Sequence, residues 1–235
     1  MRFPTRLLAA NAYFALLLFA GYVVVVAVIA AGVAVFGTLS QSAWEAAVQL
    51  PRWYALFTGV ALVRQYLPMY VAHGQTRRQF GAQAAVTVAL FAPFLSALIT
   101  LGYLLEALVY NLAGRPQALD KVHLFTEPTQ VPLVFVEYLL EFVTWIVSGT
   151  FIGAGFYRWE GGGLLLIPVG IGLLLLNEGA VGTDHLGLPF IGDRLALDLP
   201  HSLGLALGVG AATFVLGLAL TWSIIRDMPI RNRKS

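Results

Sequence analysis

Four ionisable side chains lie inside apolar stretches of the sequence that are long enough to cross a bilayer. They are Arg64, Glu106, Glu137 and Glu141. A charge near the bilayer centre costs at least ~2.5–3.5 kcal/mol on insertion scales, so each group should face protein or water and have a partner. Counting along the helices puts Arg64 and Glu141 near mid-membrane and the other two nearer the outer face. Because Glu137 and Glu141 share one helix face, we expect Arg64 to pair with Glu141, or with Glu137 if its helix is shifted.

Two roles remain open for this polar cluster. A buried ion pair would fix how the second and fourth apolar stretches pack against each other. Alternatively, the cluster would line a translocation path or carry a proton, which is the chemistry that a proton-driven secondary transporter needs. Loss of activity in a Glu141→Gln variant that still assembles would favour the second role.

The patterns of catalytic and cofactor sites are missing from the sequence. Cysteine is absent, which excludes disulfides and thiolate sites. The histidines, His73, His123, His185 and His201, form no metal-ligand pattern, and no serine lies in a nucleophile elbow. The glycine run 161–163 lacks the lysine and the hydroxyl residue of a phosphate loop. We therefore expect no catalytic, cofactor or metal site in this chain, and no enzymatic activity of its own.

The composition points to a bilayer as the solvent of this protein. The 235 residues are 59% apolar and 11% charged, with a mean hydropathy of +0.80. A soluble domain is about 25% charged, and a soluble fold of this size could not hide so much apolar surface. A net charge of +2 gives no reason to expect a nucleic-acid partner. We expect a single transmembrane domain over residues 1–235, with lipids as its surroundings.

Six apolar stretches predict an all-α integral membrane protein with six transmembrane helices. They cover residues 12–36, 53–72, 82–110, 131–157, 163–180 and 202–225. The runs are continuous rather than alternating, which favours helices over the strands of a barrel. The second stretch contains a charge, and the fifth is short and interrupted by proline and glycine.

The distribution of basic residues predicts the orientation. With the N-terminus inside, nine Lys and Arg residues lie in inner segments and four in outer ones. The positive-inside rule then places both termini in the cytoplasm of a cell whose plasma membrane the chain spans. Residues 1–11 are expected to lie along the inner interface. The outer segment 181–201 contains an apolar stretch too short to cross, which either re-enters the membrane or rests on lipid headgroups.

The inner loop between the second and third stretches predicts an elbow over residues 73–81. Gly74 can end a helix in the left-handed conformation, and Thr76 can cap the next one. Arg77 and Arg78 then begin a short basic helix at the inner surface. Such an elbow suits a contact that transmits force from a partner, although an arginine pair that only holds the loop inside explains the same residues.

Two pairs of glycines at spacing four predict close helix packing. They are Gly149 with Gly153 in the fourth stretch and Gly204 with Gly208 in the sixth. Small residues at this spacing let helix backbones approach closely, within one chain or between two copies.

The segment Gly74-Gln-Thr-Arg-Arg-Gln-Phe80 resembles the Gly-x-Ser/Thr-Arg-Arg-x-Phe element of bacterial ATP-binding-cassette type-2 permeases. The segment Ser148–Arg158 is similar to one that closes the fourth span in small actinobacterial permeases of this type. The six spans, the internal termini and the irregular segment between spans five and six are also similar. The resemblance covers most of the chain in topology but only these two short segments in motif.

The resemblance implies a permease subunit, paired with a second copy or a paralogue, and two cytoplasmic ATPase domains. It implies that the elbow is the coupling helix that docks on the ATPase. The coupling residues would be Gly74, Thr76, Arg77, Arg78 and Phe80. ATP and Mg²⁺ would be bound by the partner ATPase and not by this chain.

The leading expectation is therefore the transmembrane subunit of an ABC transporter, an exporter driven by a separate ATPase. A self-contained secondary transporter or channel that uses Arg64, Glu137 and Glu141 is the first alternative. A membrane subunit that supports another complex without transporting is the second. The sequence does not identify the substrate.

Overall fold

The computed structural model describes residues 5–36, 42–114, 117–182 and 202–228, and these residues are helical with short connections. The α-helices are α1 (Thr5–Phe36), α2 (Ala43–Ala47), α3 (Gln49–Ala61), α4 (Leu67–Ala72), α5 (Arg77–Leu112), α6 (Val131–Trp159), α7 (Ile167–Val181) and α8 (Leu203–Ile225). A π-helical turn, Leu62–Tyr66, joins α3 to α4, and a 3₁₀ segment, Glu160–Leu166, joins α6 to α7. The described part contains no β-strand.

Four helical stretches of the described residues are long and apolar enough to cross a membrane. They are Leu7–Gly32, Arg77–Leu112, Val131–Val181 and Leu203–Ile225. The third includes both α6 and α7, and the chain reverses between them at Glu160, whose φ is +49°. These are the features of an all-α membrane protein. Many large apolar side chains also remain exposed on the isolated chain, which is expected when lipid is the solvent.

Helix α6 lies at the centre of the bundle and packs against α3, α5, α7 and α8. Its contact with α3 depends on glycines, since a Cβ on Gly149 would lie 2.0 Å from the carbonyl oxygen of Leu56. A Cβ on Gly59 of α3 would lie 2.0 Å from the carbonyl oxygen of Ile146, and one on Gly153 would lie 2.9 Å from Val60. The first predicted glycine pair is thus part of an intramolecular helix contact in which the two backbones nearly touch.

The contact between α6 and α8 uses different glycines from the predicted pair. Gly210 of α8 lies against Leu140, and Gly217 lies against Val147. In contrast, a Cβ on Gly204 or Gly208 would meet no atom within 4 Å among the described residues. The second predicted pair therefore makes no packing contact inside the described chain, because that face of α8 points away from α6.

Two predicted segments differ at the N-terminal end and between α7 and α8. Residues 5–11, expected to form part of a separate interfacial segment, are the first turns of α1 and continue without a break. Residues 1–4 lie outside the described residues, as does almost all of the outer segment 181–201, from residue 183 onward.

Candidate functional site

The connection between α5 and α6 is held to the bundle by buried carboxylates. We call this end of the molecule, where residues 117–130 lie, the loop end. Glu45 of α2 accepts hydrogen bonds from the backbone N–H groups of Asp120, at 2.8 Å, and Lys121, at 2.7 Å. Glu106 of α5 accepts from the hydroxyl of Ser42, the backbone N–H of Trp44 and the side-chain amide of Gln117. Both acids therefore replace water as partners for the loop.

His123 lies in this loop between two carboxylates, and together they form what we call the acid–histidine–acid bridge, Glu45–His123–Glu137. The His123 Nδ1 lies 2.6 Å from Glu137 Oε1, and its Nε2 lies 3.2 Å from Glu45 Oε1. The imidazole is fully buried. Each ring nitrogen faces a carboxyl oxygen, and the imidazolium form, with a hydrogen on both nitrogens, donates to both of them. The second oxygen of Glu137 accepts from the backbone N–H of Leu124 at 2.7 Å.

The electrostatics of the bridge agree with this geometry. Burial disfavours the charged imidazole, but hydrogen bonds and charge attraction from Glu137 and Glu45 outweigh it and raise the pKa of His123 to about 9. Burial also opposes ionisation of Glu45, but hydrogen bonds from His123 and from the backbone of the loop leave its pKa below the usual value. At neutral pH, therefore, His123 carries a positive charge and Glu45 a negative one, and a hydrogen bond joins them.

A second buried ion pair lies one helical turn deeper, and it corrects the predicted Arg64–Glu141 pair. Arg52 Nε donates to Glu141 Oε2 at 2.8 Å, and Arg52 Nη2 donates to Glu141 Oε1 at 2.9 Å. The two side chains are 2% and 1% exposed. Glu178 of α7 also contributes its charge to the surroundings of Arg52. Arg64 instead lies exposed on the π-helical turn.

The misassignment of the arginine has a local cause. The sequence pattern begins the second apolar stretch at residue 53, which leaves Arg52 in an outer loop. In the structure the helix begins at Gln49, so Arg52 is already on its first turn and faces α6. The sequence predicts no role for His123, because the four histidines form no metal-ligand pattern. A signal for His123 was present in the acids predicted near the outer face, Glu106 and Glu137. Each buried carboxylate needs a hydrogen-bond donor, and a histidine in the neighbouring loop can supply one.

The opposite end of the bundle, where residues 73–76 lie, is called the turn end. Gly74 has a φ of +80°, the left-handed value that a helix-ending glycine adopts. Thr76 forms a capping box with Gln79, since Gln79 N–H donates to the Thr76 hydroxyl at 3.2 Å and Thr76 N–H donates to Gln79 Oε1 at 2.9 Å. The predicted separate elbow helix is absent from 73–81, because α5 starts at Arg77 and continues through Leu112.

The residues of the turn end have different surroundings. Phe80 is buried and packs on Tyr70. Arg77 donates to the carbonyl oxygens of Arg226, at 3.1 Å, and Met228, at 2.6 Å, just beyond the end of α8. Arg78 is exposed.

Arg158, at the end of α6, also binds the end of α8, donating to the carbonyl of Ile224 at 3.0 Å. Two arginines thus satisfy carbonyl groups that a helix terminus leaves without intrahelical partners. The start of α5 and the ends of α6 and α8 are joined in this way. A displacement of the turn would be passed to three helices.

No group of three or more His, Asp or Glu side chains in the described ranges could hold a metal ion. No protein-family model, curated protein or solved structure matches the chain.

Proposed function

We propose that this protein is the transmembrane subunit of an ABC exporter of the type-2 permease class, driven by a separate cytoplasmic ATPase. ATP and Mg²⁺ belong to that ATPase, and a second permease, identical or paralogous, completes the transporter. The protein lies in the plasma membrane with the turn end and both termini in the cytoplasm. The resemblance of Gly74–Phe80 to the permease element motivates the proposal.

Helix lengths support the six passes that this class requires. The helix formed by α3, the π-helical turn and α4 runs without a break from Gln49 to Ala72, about 36 Å at ~1.5 Å per residue, which exceeds the ~30 Å of a hydrocarbon core. Helix α7 alone is shorter than that core, but the 3₁₀ segment before it extends the same return passage. Counted with α1, α5, α6 and α8, these two elements would supply the six passes of the proposal.

The observation that carries the proposal is the construction of the turn end. An ATPase that moves a permease needs a rigid, accessible contact connected to several membrane helices. The capping box makes the turn rigid, Phe80 anchors it in the core, and Arg77 connects it to α8. Arg78 is the basic side chain of the elbow that is left exposed for a partner.

Because Arg77 binds the end of α8 and Arg78 is exposed, the test changes Arg78. Arg78→Glu reverses an exposed charge at the elbow, whereas a change at Arg77 would also release the end of α8. Arg226→Glu is the matched control, since the Arg226 side chain is 59% exposed at the same end and contacts Asp227. The tagged chain is purified from its native membrane, and Mg-ATP hydrolysis and subunit stoichiometry are measured in the eluate.

We expect a phosphate-loop ATPase in stoichiometric amount with the wild type and with Arg226→Glu, and at least a tenfold loss of it with Arg78→Glu. An eluate without such an ATPase refutes the proposal. Equal amounts of ATPase in all three preparations would mean that Arg78 is not part of the ATPase contact. The turn end would then no longer support the proposal.

The acid–histidine–acid bridge favours one alternative, a proton-coupled secondary transporter. It contains buried titratable groups, one of which, Glu137, lies on a helix long enough to cross a membrane, and such a transporter requires groups of this kind. However, His123 and Glu137 are fully buried in this conformation, and their hydrogen bonds attach a loop to helices. Proton-driven transport by the purified chain alone in liposomes, lost in Glu137→Gln, would establish this alternative against the ABC exporter.

A further inference from the structure

A long apolar groove lies between α1 and α5 near the loop end. Its volume is about 470 Å³, within the ~300–1,000 Å³ of small-molecule sites. The walls are side chains of the second half of α1, such as Val23, Val26 and Ala27, and of the second half of α5, such as Val109. Trp44 of α2 and Glu106 of α5 also line the groove and bring polar atoms to its wall.

Trp44 gives the groove an unsatisfied hydrogen-bond donor. The side chain is 2% exposed, and its ring lies directly on Gly102, where a Cβ would be 1.9 Å from Cζ2. Its indole Nε1–H has no hydrogen-bond partner among the described residues. Buried donors without a partner are rare, because each loses the hydrogen bond that water would have supplied. An oxygen acceptor on a bound molecule would satisfy this donor.

The surroundings of the groove indicate where its occupant comes from. Val24 and Val28 of α1 are 61% and 66% exposed, and Leu108 and Val109 of α5 are 57% and 61% exposed. These apolar side chains lie beside the groove on helices that are long enough to cross a membrane. In a bilayer these exposed apolar faces would contact hydrocarbon, so lipids are the molecules expected to reach the groove.

Glu106 affects which chemical group of a lipid can lie beside Trp44. Its carboxylate oxygens already accept hydrogen bonds from three donors. A negative charge in the wall disfavours an anionic group, such as a free fatty-acid carboxylate, beside Trp44. A neutral carbonyl avoids this repulsion and still accepts from the indole.

We propose that the groove holds one acyl chain of an ester-linked membrane lipid, whose carbonyl oxygen accepts a hydrogen bond from the Trp44 indole N–H. The acyl chain of the lipid fills the apolar volume between α1 and α5. It contacts both helices where they do not contact each other. This role depends on the membrane setting of the protein and not on an ATPase partner.

The test uses photoactivatable phosphatidylcholine with a diazirine in one acyl chain, added to nanodiscs of phosphatidylcholine that contain the full chain. Labelled peptides are located by mass spectrometry. We expect labelling concentrated on residues 23–31 and 102–113. Ala27→Phe, which fills the groove, should reduce this labelling at least fivefold, whereas Val28→Phe, on the neighbouring exposed position, should leave it unchanged.

The hydrogen bond is tested by the chemistry of the probe. An ether-linked analogue lacks the carbonyl, and the loss of one hydrogen bond should reduce its labelling about two- to tenfold relative to the ester probe. Trp44→Phe should remove this difference, whereas a purely structural tryptophan would change both probes equally. Labelling by a diazirine fatty acid and by a diazirine alkylammonium is measured in the same way and compared with labelling by the ester lipid.

Three results would overturn the proposal. One is labelling spread evenly over the exposed faces of α1 and α5. Another is equal labelling by the ester and ether probes in the wild type. The third is stronger labelling of the groove by the fatty acid or by the alkylammonium than by the ester lipid. Thermal unfolding of each variant in detergent shows whether it folds, and Val28→Phe serves as the folded reference.

Discussion

Raising the pH should destabilise this protein through His123. The pKa of His123 rises from 6.5 to about 9 on folding, because Glu137 and Glu45 favour the imidazolium more than burial disfavours it. At about 1.4 kcal/mol per pKa unit, this corresponds to roughly 3 kcal/mol of stability. A raised pKa gives stability that is complete below the unfolded value of 6.5 and is lost as the pH rises through about 9.

Thermal unfolding in detergent, followed by circular dichroism between pH 6 and pH 10, measures this loss. For a chain of this size, roughly 3 kcal/mol corresponds to a fall in Tm of about 6–12 °C. His123→Gln is the control, because it keeps a polar side chain and removes the titration. The Tm difference between the wild type and His123→Gln should shrink between pH 7 and pH 10.

Added salt should change the Tm difference little, because the side chains of the bridge are at most 3% exposed and are therefore weakly screened. The reasoning is refuted if the two proteins show parallel Tm curves over this pH range, or if the wild type gains stability as the pH rises. Glu45 predicts the opposite trend in acid. Its pKa is lowered, so its contribution is present above about pH 4.5 and is lost as the pH falls below it.

Three other predictions concern the buried ion pair, a glycine contact between helices and a helix cap. Arg52→Met should lower stability by about 3–5 kcal/mol, because it leaves Glu141 buried and unpaired. The double change with Glu141→Met should recover most of this loss, as chemical denaturation of the wild type and the two variants would show. Gly149→Ala should lower stability by at least ~1–3 kcal/mol, because its Cβ would lie 2.0 Å from a backbone oxygen. The matched change Gly204→Ala, with no neighbour within 4 Å, should be neutral or slightly stabilising in the same unfolding assay. Thr76→Ala should cost about 1 kcal/mol and increase amide hydrogen exchange in the first turn of α5.

Local signals in the sequence located the helices and the turn end well. The left-handed glycine at position 74 and the cap at Thr76 depend on neighbouring residues only, and the structure has both. Continuous apolar runs identified helices because lipid leaves a backbone no other way to satisfy its hydrogen bonds. The four helical stretches long enough to span a membrane all lie within those runs or extend them by a few residues.

Partners distant in sequence could not be predicted in the same way. Arg52 and His123 lie at or beyond the boundaries of apolar runs, where helix ends are uncertain by a few residues. A shift of one turn at the start of α3 decides whether Arg52 lies in a loop or faces Glu141. The groove beside Trp44 depends on how α1, α2 and α5 pack together, which no single run of residues records.

The separation of the buried ion pair along the chain bears on how the protein is made. Arg52 and Glu141 are 89 residues apart, and at about 5–20 residues per second the ribosome needs roughly 4–18 s to synthesise the residues between them. During that interval the guanidinium has no carboxylate from α6, so in the proposed six-pass arrangement the first turn of α3 is more stable at the wet surface of the bilayer than inside it. Full insertion of α3 would then follow the arrival of α6, which makes the two helices one unit of biogenesis.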